Sequence, residues 1–191
     1  MKLKYFGDSY DIVKKSMIHW LSEFGPWVTH PMFTESVKSE EAIAFSRLLG
    51  TPLLSTETLT AQTDRSEYFS SCRAAGHLFL DPDTGVRLET HRGERSVAYV
   101  FAEELVDWCS QRPHALTLVF DKSYSRGDDD GIRRKLSYLG DQRIHGFAYN
   151  SHATFLLLGA DAQLVKRAQE RVLAASGLPA WRLVVRKATR K

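Results

Sequence analysis

The sequence predicts an α/β protein with a mainly parallel, Rossmann-like sheet flanked by helices, completed by a C-terminal hairpin or helix-strand unit. Two short apolar runs, 77–80 and 115–120, are bounded by turn residues, as buried strands are. Between them, apolar residues recur at helical spacing over 96–110. A strand, a helix and a strand in this order form a βαβ unit, whose crossover is right-handed in nearly all cases. We therefore expect the two strands to be parallel.

Apolar spacing and turn residues predict the remaining elements. The first part of the chain has a helix over 8–24 capped by Asp8 or Ser9 and a helix over 39–49. Between them, segment 27–34 predicts either an edge strand or a strand that ends near His30, because Pro31 cannot donate to a neighbouring strand. Segment 51–70 is rich in Thr and Ser and predicts either a long loop over the site or a short helix near 64–71. The last part has a helix over 131–139, a hairpin of strands 144–149 and 153–158, a helix capped by Asp161, and a strand over 181–186.

Length and composition predict one domain spanning residues 1–191. No apolar run reaches the roughly 20 residues of a spanning helix, and the first residues lack a signal-peptide core. We therefore expect a cytoplasmic protein with no membrane partner, in which Cys72 and Cys109 are buried thiols. Much of the net charge of +3 comes from the C-terminal tail, which can contact phosphate or remain solvated.

Acidic residues follow both apolar runs of the βαβ unit. Asp81 and Asp83 end the first strand and Asp121 ends the second. Because parallel strands end at the same sheet edge, where open α/β sheets bind ligands, we expect these three acids to converge in one cleft. Paired carboxylates at a strand end favour Mg²⁺. The segment 81–85, Asp-Pro-Asp-Thr-Gly, is also typical of a structural turn, and direct substrate binding is a third interpretation.

Polar residues elsewhere supply further candidates. Lys122, Ser125 and Arg126 form a partly basic loop after Asp121, suited to binding phosphate or to lying in solvent. His152 lies in the predicted hairpin turn and is a candidate general acid or base if that turn reaches the site. Asp8, Asp11 and either Lys14 or Lys15 fall near one face at the start of the first helix, where capping alone explains Asp8.

Several well-known motifs are absent from the sequence. It has no Gly-x-Ser-x-Gly, no P-loop and no Gly-x-Gly-x-x-Gly. It also has no zinc-finger spacing and no RNP aromatic cluster. Nucleotide-cofactor binding of the usual kinds is therefore not predicted.

Three segments carry a resemblance to an uncharacterised bacterial protein family. They are the Gly-Asp-x-x-Asp-x-x-Lys pattern at 7–14, Asp-Pro-Asp-x-Gly at 81–85, and the Val-Phe-Asp strand end at 119–121. The likeness covers most of the chain. It implies relatives rather than a reaction.

Two better-known families share parts of this pattern. The first and second segments resemble ribosomal RNA adenine-N6 methyltransferases, whose Asp-Pro-Pro-Tyr/Phe motif ends a central strand, and this resemblance implies S-adenosylmethionine as a cofactor. The chain also resembles Toprim domains, in which a Glu after the first strand and an Asp-x-Asp after a later strand bind Mg²⁺. That resemblance implies a metal site formed by Glu35, Asp81 and Asp83.

We therefore expect a Mg²⁺-dependent enzyme that acts on phosphate esters of nucleic acid or nucleotides. Asp81, Asp83 and Asp121 are its candidate catalytic acids, with His152 as an optional acid or base. Two alternatives stay open. One is a methyltransferase-like fold, active or degenerate, and the other is a non-catalytic interaction protein in which the same acids form turns.

Overall fold

A computed structural model describes residues 5–74, 76–89, 94–123 and 129–186. The helices are α1 (Ser9–Trp20), α2 (Ser39–Leu49), α3 (Arg65–Tyr68), α4 (Ser70–Ala74), α5 (Ala102–Gln111), α6 (Asp129–Asp141) and α7 (Ala162–Ser176). The strands are β1 (Trp27–His30), β2 (His77–Leu80), β3 (Gly85–Arg87), β4 (Tyr99–Phe101), β5 (Thr117–Asp121), β6 (His145–Asn150), β7 (Thr154–Gly159) and β8 (Leu183–Val185). Short 3₁₀ turns lie at Ser22–Phe24, Glu94–Ala98 and Ala180–Arg182.

The central sheet has six strands in the order β1-β2-β5-β7-β6-β8. Neighbours β1, β2 and β5 are parallel, so the predicted parallel pair of β2 and β5 is confirmed. The other three neighbour pairs are antiparallel. The expectation of a mainly parallel sheet is therefore wrong, and the sheet is mixed. The reason is the short link between β6 and β7, which permits only an antiparallel hairpin, together with the pairing of β7 directly beside β5.

Helices cover both faces of the sheet. One apolar cluster joins α1, α2 and α7 to strand residues such as Phe79, Leu118 and Phe120. A second apolar cluster lies on the other face of the sheet. It contains residues of the helices from α3 through α6 and the alternate strand residues, such as Leu80 and Val119. Successive side chains of a strand point to opposite faces, so each buried strand contributes to both clusters. In the described part of the chain, no helix is long and apolar enough to cross a membrane.

Local capping chemistry agrees with several predicted helix ends. The Asp8 carboxylate accepts the N–H groups of Tyr10 and Asp11 at the start of α1. Asp161 does the same for α7, which ends at Gly177 in the left-handed conformation with φ of 66°. These side chains satisfy backbone donors that a helix end leaves without a partner. The caps, and with them the starts of α1 and α7, are as predicted.

The predicted helix over 96–110 is wrong at its start. Residues 99–101 form β4, which pairs in parallel with β3 as a separate two-stranded sheet. The helix α5 begins only after Phe101, whose N–H is accepted by the Glu104 carboxylate. Aromatic and β-branched residues favour a strand over 99–101. The Glu104 side chain then caps the N-terminal end of α5.

Segment 51–70 does not reach over the site at the end of β2. Its first part lies along the outer edge of β1, where the Thr29 N–H donates to Pro52 and the Leu54 N–H donates to Thr29. Its last part forms α3, in line with the short helix that was one of the two predictions. Covering the edge of β1 in this way protects an otherwise open row of backbone groups.

His30, at the end of β1, is fully buried as a neutral side chain. Its ring contacts the rings of Tyr68 and Phe69, with centroids 4.9 and 5.2 Å away. Neither ring nitrogen has a hydrogen-bond partner among the described residues. Burial lowers the pKa of His30 to about 4, because the charged imidazolium would lose its hydration.

We expect His30 to destabilise the protein in acid. The unfolded imidazole gains a proton below its usual pKa of about 6.5, whereas the buried ring does so only near 4. Stability from this residue is thus complete above pH 6.5, and about 2–3 kcal/mol is lost as the pH falls from 6.5 towards 4. Urea unfolding at pH 7 and pH 4.5 should show a smaller difference for His30→Phe than for the parent. His19→Phe, on the exposed face of α1, is the control, and equal pH dependence of the His30 variant and the parent would contradict the assignment.

Candidate active site at the end of strand β2

A pocket of about 350 Å³ opens at the carboxyl end of β2, on the face of the sheet covered by α1. Its position follows from strand alternation, since Asp81 comes one residue after Leu80 and so points to the same face as Phe79 and Phe120. The start of α1 closes one side of the pocket. Its lining residues are Tyr5, Asp8, Tyr10, Asp11, Lys14, Asp81, Pro82, Asp83, Phe120 and Lys122.

A buried lysine joins α1 to the end of β2. The Lys14 ammonium donates to Asp81 Oδ2 and to Asp11 Oδ1, each at 2.9 Å. The second oxygen of Asp11 accepts the N–H of Gly7 at 2.9 Å. The three side chains are almost completely buried. A buried charge needs this degree of pairing, because the loss of hydration is otherwise far larger than the gain from one contact.

Burial and charge act in opposite directions on this group. Burial alone would lower the pKa of Lys14, but the carboxylates of Asp81 and Asp11 outweigh it and raise that pKa, so the ammonium stays charged at neutral pH. Burial raises the pKa of Asp81, and the Lys14 ammonium opposes this effect. Asp81 is therefore a carboxyl group with increased proton affinity that lines a pocket, which is the property expected of a group that takes or gives a proton.

Aromatic rings form the wall between the buried acids and the solvent. The Lys14 ammonium lies 4.6 Å from the centroid of the Phe120 ring, and the Lys122 ammonium lies 4.8 Å from that of Tyr10. The Tyr10 ring also stacks against His152, with centroids 4.6 Å apart and planes tilted by 34°. The exposed residues Lys122 and His152 thus lie at the mouth of the pocket. The hairpin turn that carries His152 does reach the site.

Asp121 does not join this pocket, and the predicted convergence of three acids is wrong. The Lys135 ammonium of α6 donates to Asp121 Oδ2. Its Oδ1 accepts the N–H of Val86 at 3.2 Å and the N–H and hydroxyl of Ser123 at 3.1 and 2.7 Å. Asp121 follows Val119 by two residues and so points to the opposite face from Asp81. Parallel strands bring their ends to one edge, but alternation sends these side chains to different sides.

The turn after Asp81 also has a structural role, as the turn interpretation predicts. Gly85 has φ of +138° and lies against Asp121, so close that a Cβ atom would be 2.0 Å from Asp121 Oδ1. Only glycine permits both the backbone conformation and this approach. The first three residues of segment 81–85 therefore line the pocket, and its last residue makes a close backbone contact with Asp121.

The other predicted site residues have different locations. Asp83 is half-buried and lines the pocket together with Lys122. Glu35 is exposed in the link between β1 and α2 and is not part of the pocket lining. Ser125 and Arg126 lie outside the described residues. The structure thus brings Asp81, Asp83 and Lys122 together in the pocket, places His152 against the pocket residue Tyr10, and leaves Glu35 and Asp121 elsewhere.

Sequence reasoning undervalued the contribution of α1. Asp11 and Lys14 are central to the pocket, and Tyr10 and Phe120 supply its aromatic wall. The available signal was the spacing of Asp8, Asp11 and Lys14, which places them near one helix face. Capping explained Asp8, but no cap needs a lysine at the sixth position after it.

The site has no preformed cage of three metal ligands. In the described ranges, no three His, Cys, Asp or Glu side chains are grouped as they would be to hold a metal ion. Mg²⁺ commonly binds through one or two carboxylates, with water and substrate phosphate as its other ligands, so such a cage is not required. Asp83 and Asp8 are the pocket carboxylates that lie outside the Lys14 ion pair and could contribute oxygens.

No protein-family model, no curated protein and no solved structure matches this chain. Functional inference therefore depends on the chemistry of the pocket.

We expect Lys14→Met to destabilise the protein by about 3–5 kcal/mol, because it leaves two buried carboxylates without their counter-ion. Urea unfolding at pH 7 measures this change. Lys15→Met is the matched control, since Lys15 is the exposed neighbour on the same helix. Adding Asp81→Asn to Lys14→Met should recover part of the lost stability, because it removes one of the two carboxylate charges left without a counter-ion. Equal stability of the Lys14 and Lys15 variants would show that the ion pair does not hold α1 in place.

Proposed function

We propose that the pocket at the end of β2 is the active site of a divalent-cation-dependent enzyme that acts on phosphate esters of nucleotides or nucleic acid. One observation carries this proposal. Four aspartates line the pocket against two lysines, and Lys122 and His152 lie at its mouth. An interior with excess negative charge repels a phosphate unless a cation lies between them, and Mg²⁺ supplies the matching charge.

The residues have distinct roles in this proposal. Asp83 and Asp8 would bind the cation, while Lys14 orients Asp81. Lys122 is the candidate phosphate contact at the mouth, where its charge would stabilise a transferring phosphoryl group. His152 is exposed beside Tyr10 and is the candidate acid or base for the leaving group or attacking water. The cation itself would polarise the phosphoryl oxygens.

Isothermal titration with Mg²⁺ and Mn²⁺ tests the cation site directly. We expect millimolar or tighter binding by the parent, and a weakening of about tenfold or more in Asp83→Asn, equal to about 1.4 kcal/mol. Glu35→Gln should bind like the parent, because Glu35 is not part of the pocket. Hydrolysis of a chromogenic phosphodiester should follow the same order. The absence of any heat from the parent at millimolar cation would end the proposal.

A methyltransferase-like, Rossmann-like fold is the second candidate, and one observation supports it. Asp81 follows β2, a central strand with parallel neighbours on both sides, and lines the pocket at its end. This is the location that the resemblance to the adenine-N6 methyltransferases implies. After β1, however, Met32 and Phe33 are fully buried where a glycine-rich cofactor turn would be expected. The geometry therefore favours a form without the cofactor.

Equilibrium dialysis with S-adenosylmethionine separates the two forms. We expect no retention at micromolar ligand, because bulky side chains follow β1 and no glycine allows close backbone approach. Retention that is lost in Asp81→Asn but kept in Glu35→Gln would instead identify an active methyltransferase site.

A further inference from the structure

Positive charge is concentrated at the C-terminal end of the chain. Residues 181–191 contain five basic residues and no acidic residue. Because the whole chain has a formal charge of +3, the preceding residues together carry an excess of two negative charges. The chain thus separates an acidic pocket from a basic terminal segment. In the described part of this segment, Arg186 is paired with Asp141 at 2.5 Å, whereas Arg182 lies against an aromatic ring.

Trp181 is the most exposed large hydrophobic side chain among the described residues. Its side chain is 70% exposed. The Arg182 guanidinium lies 4.3 Å from the centroid of the indole ring, so a cation covers part of the ring system. A single exposed hydrophobic side chain is ordinary on a protein surface, but Trp and Arg are both enriched among the residues that contribute most to binding. An indole beside a guanidinium offers stacking to a base and charge to a phosphate, the combination that single-stranded nucleic acid requires.

Strand pairing places this indole at the same end of the sheet as the pocket. Leu183, two residues after Trp181, pairs with Tyr149 near the end of β6. The turn after β6 carries His152, whose ring stacks on the pocket residue Tyr10. In the strand order, β8 is four positions from β2. At about 4.8 Å between neighbouring strands, Trp181 is roughly 19 Å from the pocket along the sheet edge.

We propose that Trp181 and Arg182 form a subsite for a single-stranded nucleic acid whose reacting phosphate lies in the pocket. This inference rests on the proposed function and narrows its substrate from nucleotides in general to a polynucleotide. At a stacked rise of about 3.4 Å per nucleotide, 19 Å corresponds to about six nucleotides. His152, beside Tyr10, lies between the two sites at the tip of the β6–β7 hairpin. A membrane surface is the less favoured partner, because the indole follows a short turn rather than lying on an amphipathic helix.

Fluorescence anisotropy with labelled oligonucleotides tests the subsite. With Mg²⁺ present, the parent should bind a twelve-nucleotide single strand about tenfold or more tightly than a four-nucleotide one, because only the longer strand reaches the indole. Trp181→Ala should lose this length preference and keep its affinity for the short strand. Trp181→Phe should retain most of it, since stacking needs only an aromatic ring. Arg182→Ala should lower the affinity for the long strand more than Arg47→Ala does. Arg47→Ala removes the same charge from the exposed side of α2.

The possible failures are distinguishable. Two results overturn the subsite while the pocket proposal stands. In the first, the parent binds the short strand with Mg²⁺ but binds the long strand no more tightly. In the second, Trp181→Ala has the same preference for the long strand as the parent. If neither strand binds to the parent, the polynucleotide substrate is overturned, and Mg²⁺ titration then decides whether the pocket proposal fails with it. Vesicles containing phosphatidylserine serve as the second partner class. Trp181-dependent binding to vesicles without length-dependent binding to oligonucleotides would assign the surface to a membrane and overturn the proposal.

Discussion

The ion pair between Lys14 and Asp81 is the constraint on which the candidate site depends. It joins the first helix to the end of a central strand across 67 residues of sequence. Its charges are buried, so neither partner can leave without exposing the other to an apolar environment. Asp11 is the third member, and its contact with the Gly7 N–H extends the network to the residues just before α1. Because these contacts fix the start of α1 against the end of β2, the wall of the pocket on this side is held in place by the ion pair.

A buried ion pair between a strand-end aspartate and a helix lysine occurs twice in this fold, in different surroundings. On one face of the sheet the strand-end Asp81 pairs with Lys14 of α1, and on the other the strand-end Asp121 pairs with Lys135 of α6. Asp121 also accepts bonds from Ser123 and from the backbone of Val86, and Gly85 lies against it. Its acceptor oxygens are therefore used in fixing β3 against β5. Asp81 lines an open pocket instead, so the two ion pairs differ in their access to solvent and ligands.

Charge is distributed so that the interior of the pocket and its surroundings differ in sign. Four carboxylates and the Lys14 ammonium line the pocket, while Lys122 lies at its mouth and Arg182 lies farther along the same end of the sheet. A cation is attracted to the interior and a polyanion to the outer groups. The two preferences are compatible only if cation and anion bind together. Under the proposed function, this arrangement would allow an acidic pocket to bind a phosphate ester together with a cation.

Sequence alone determined the α/β class, the parallel pair β2 and β5, and the caps of α1 and α7, because periodicity and capping act over a few residues. It also identified Asp81, Asp83, Lys122 and His152 as candidates. Tertiary structure decided the rest. The pairing of β7 beside β5 made the sheet mixed, and strand alternation sent Asp121 away from Asp81. The selection of Lys14 required knowing that α1 packs over the end of β2, a contact between distant residues that no local pattern encodes.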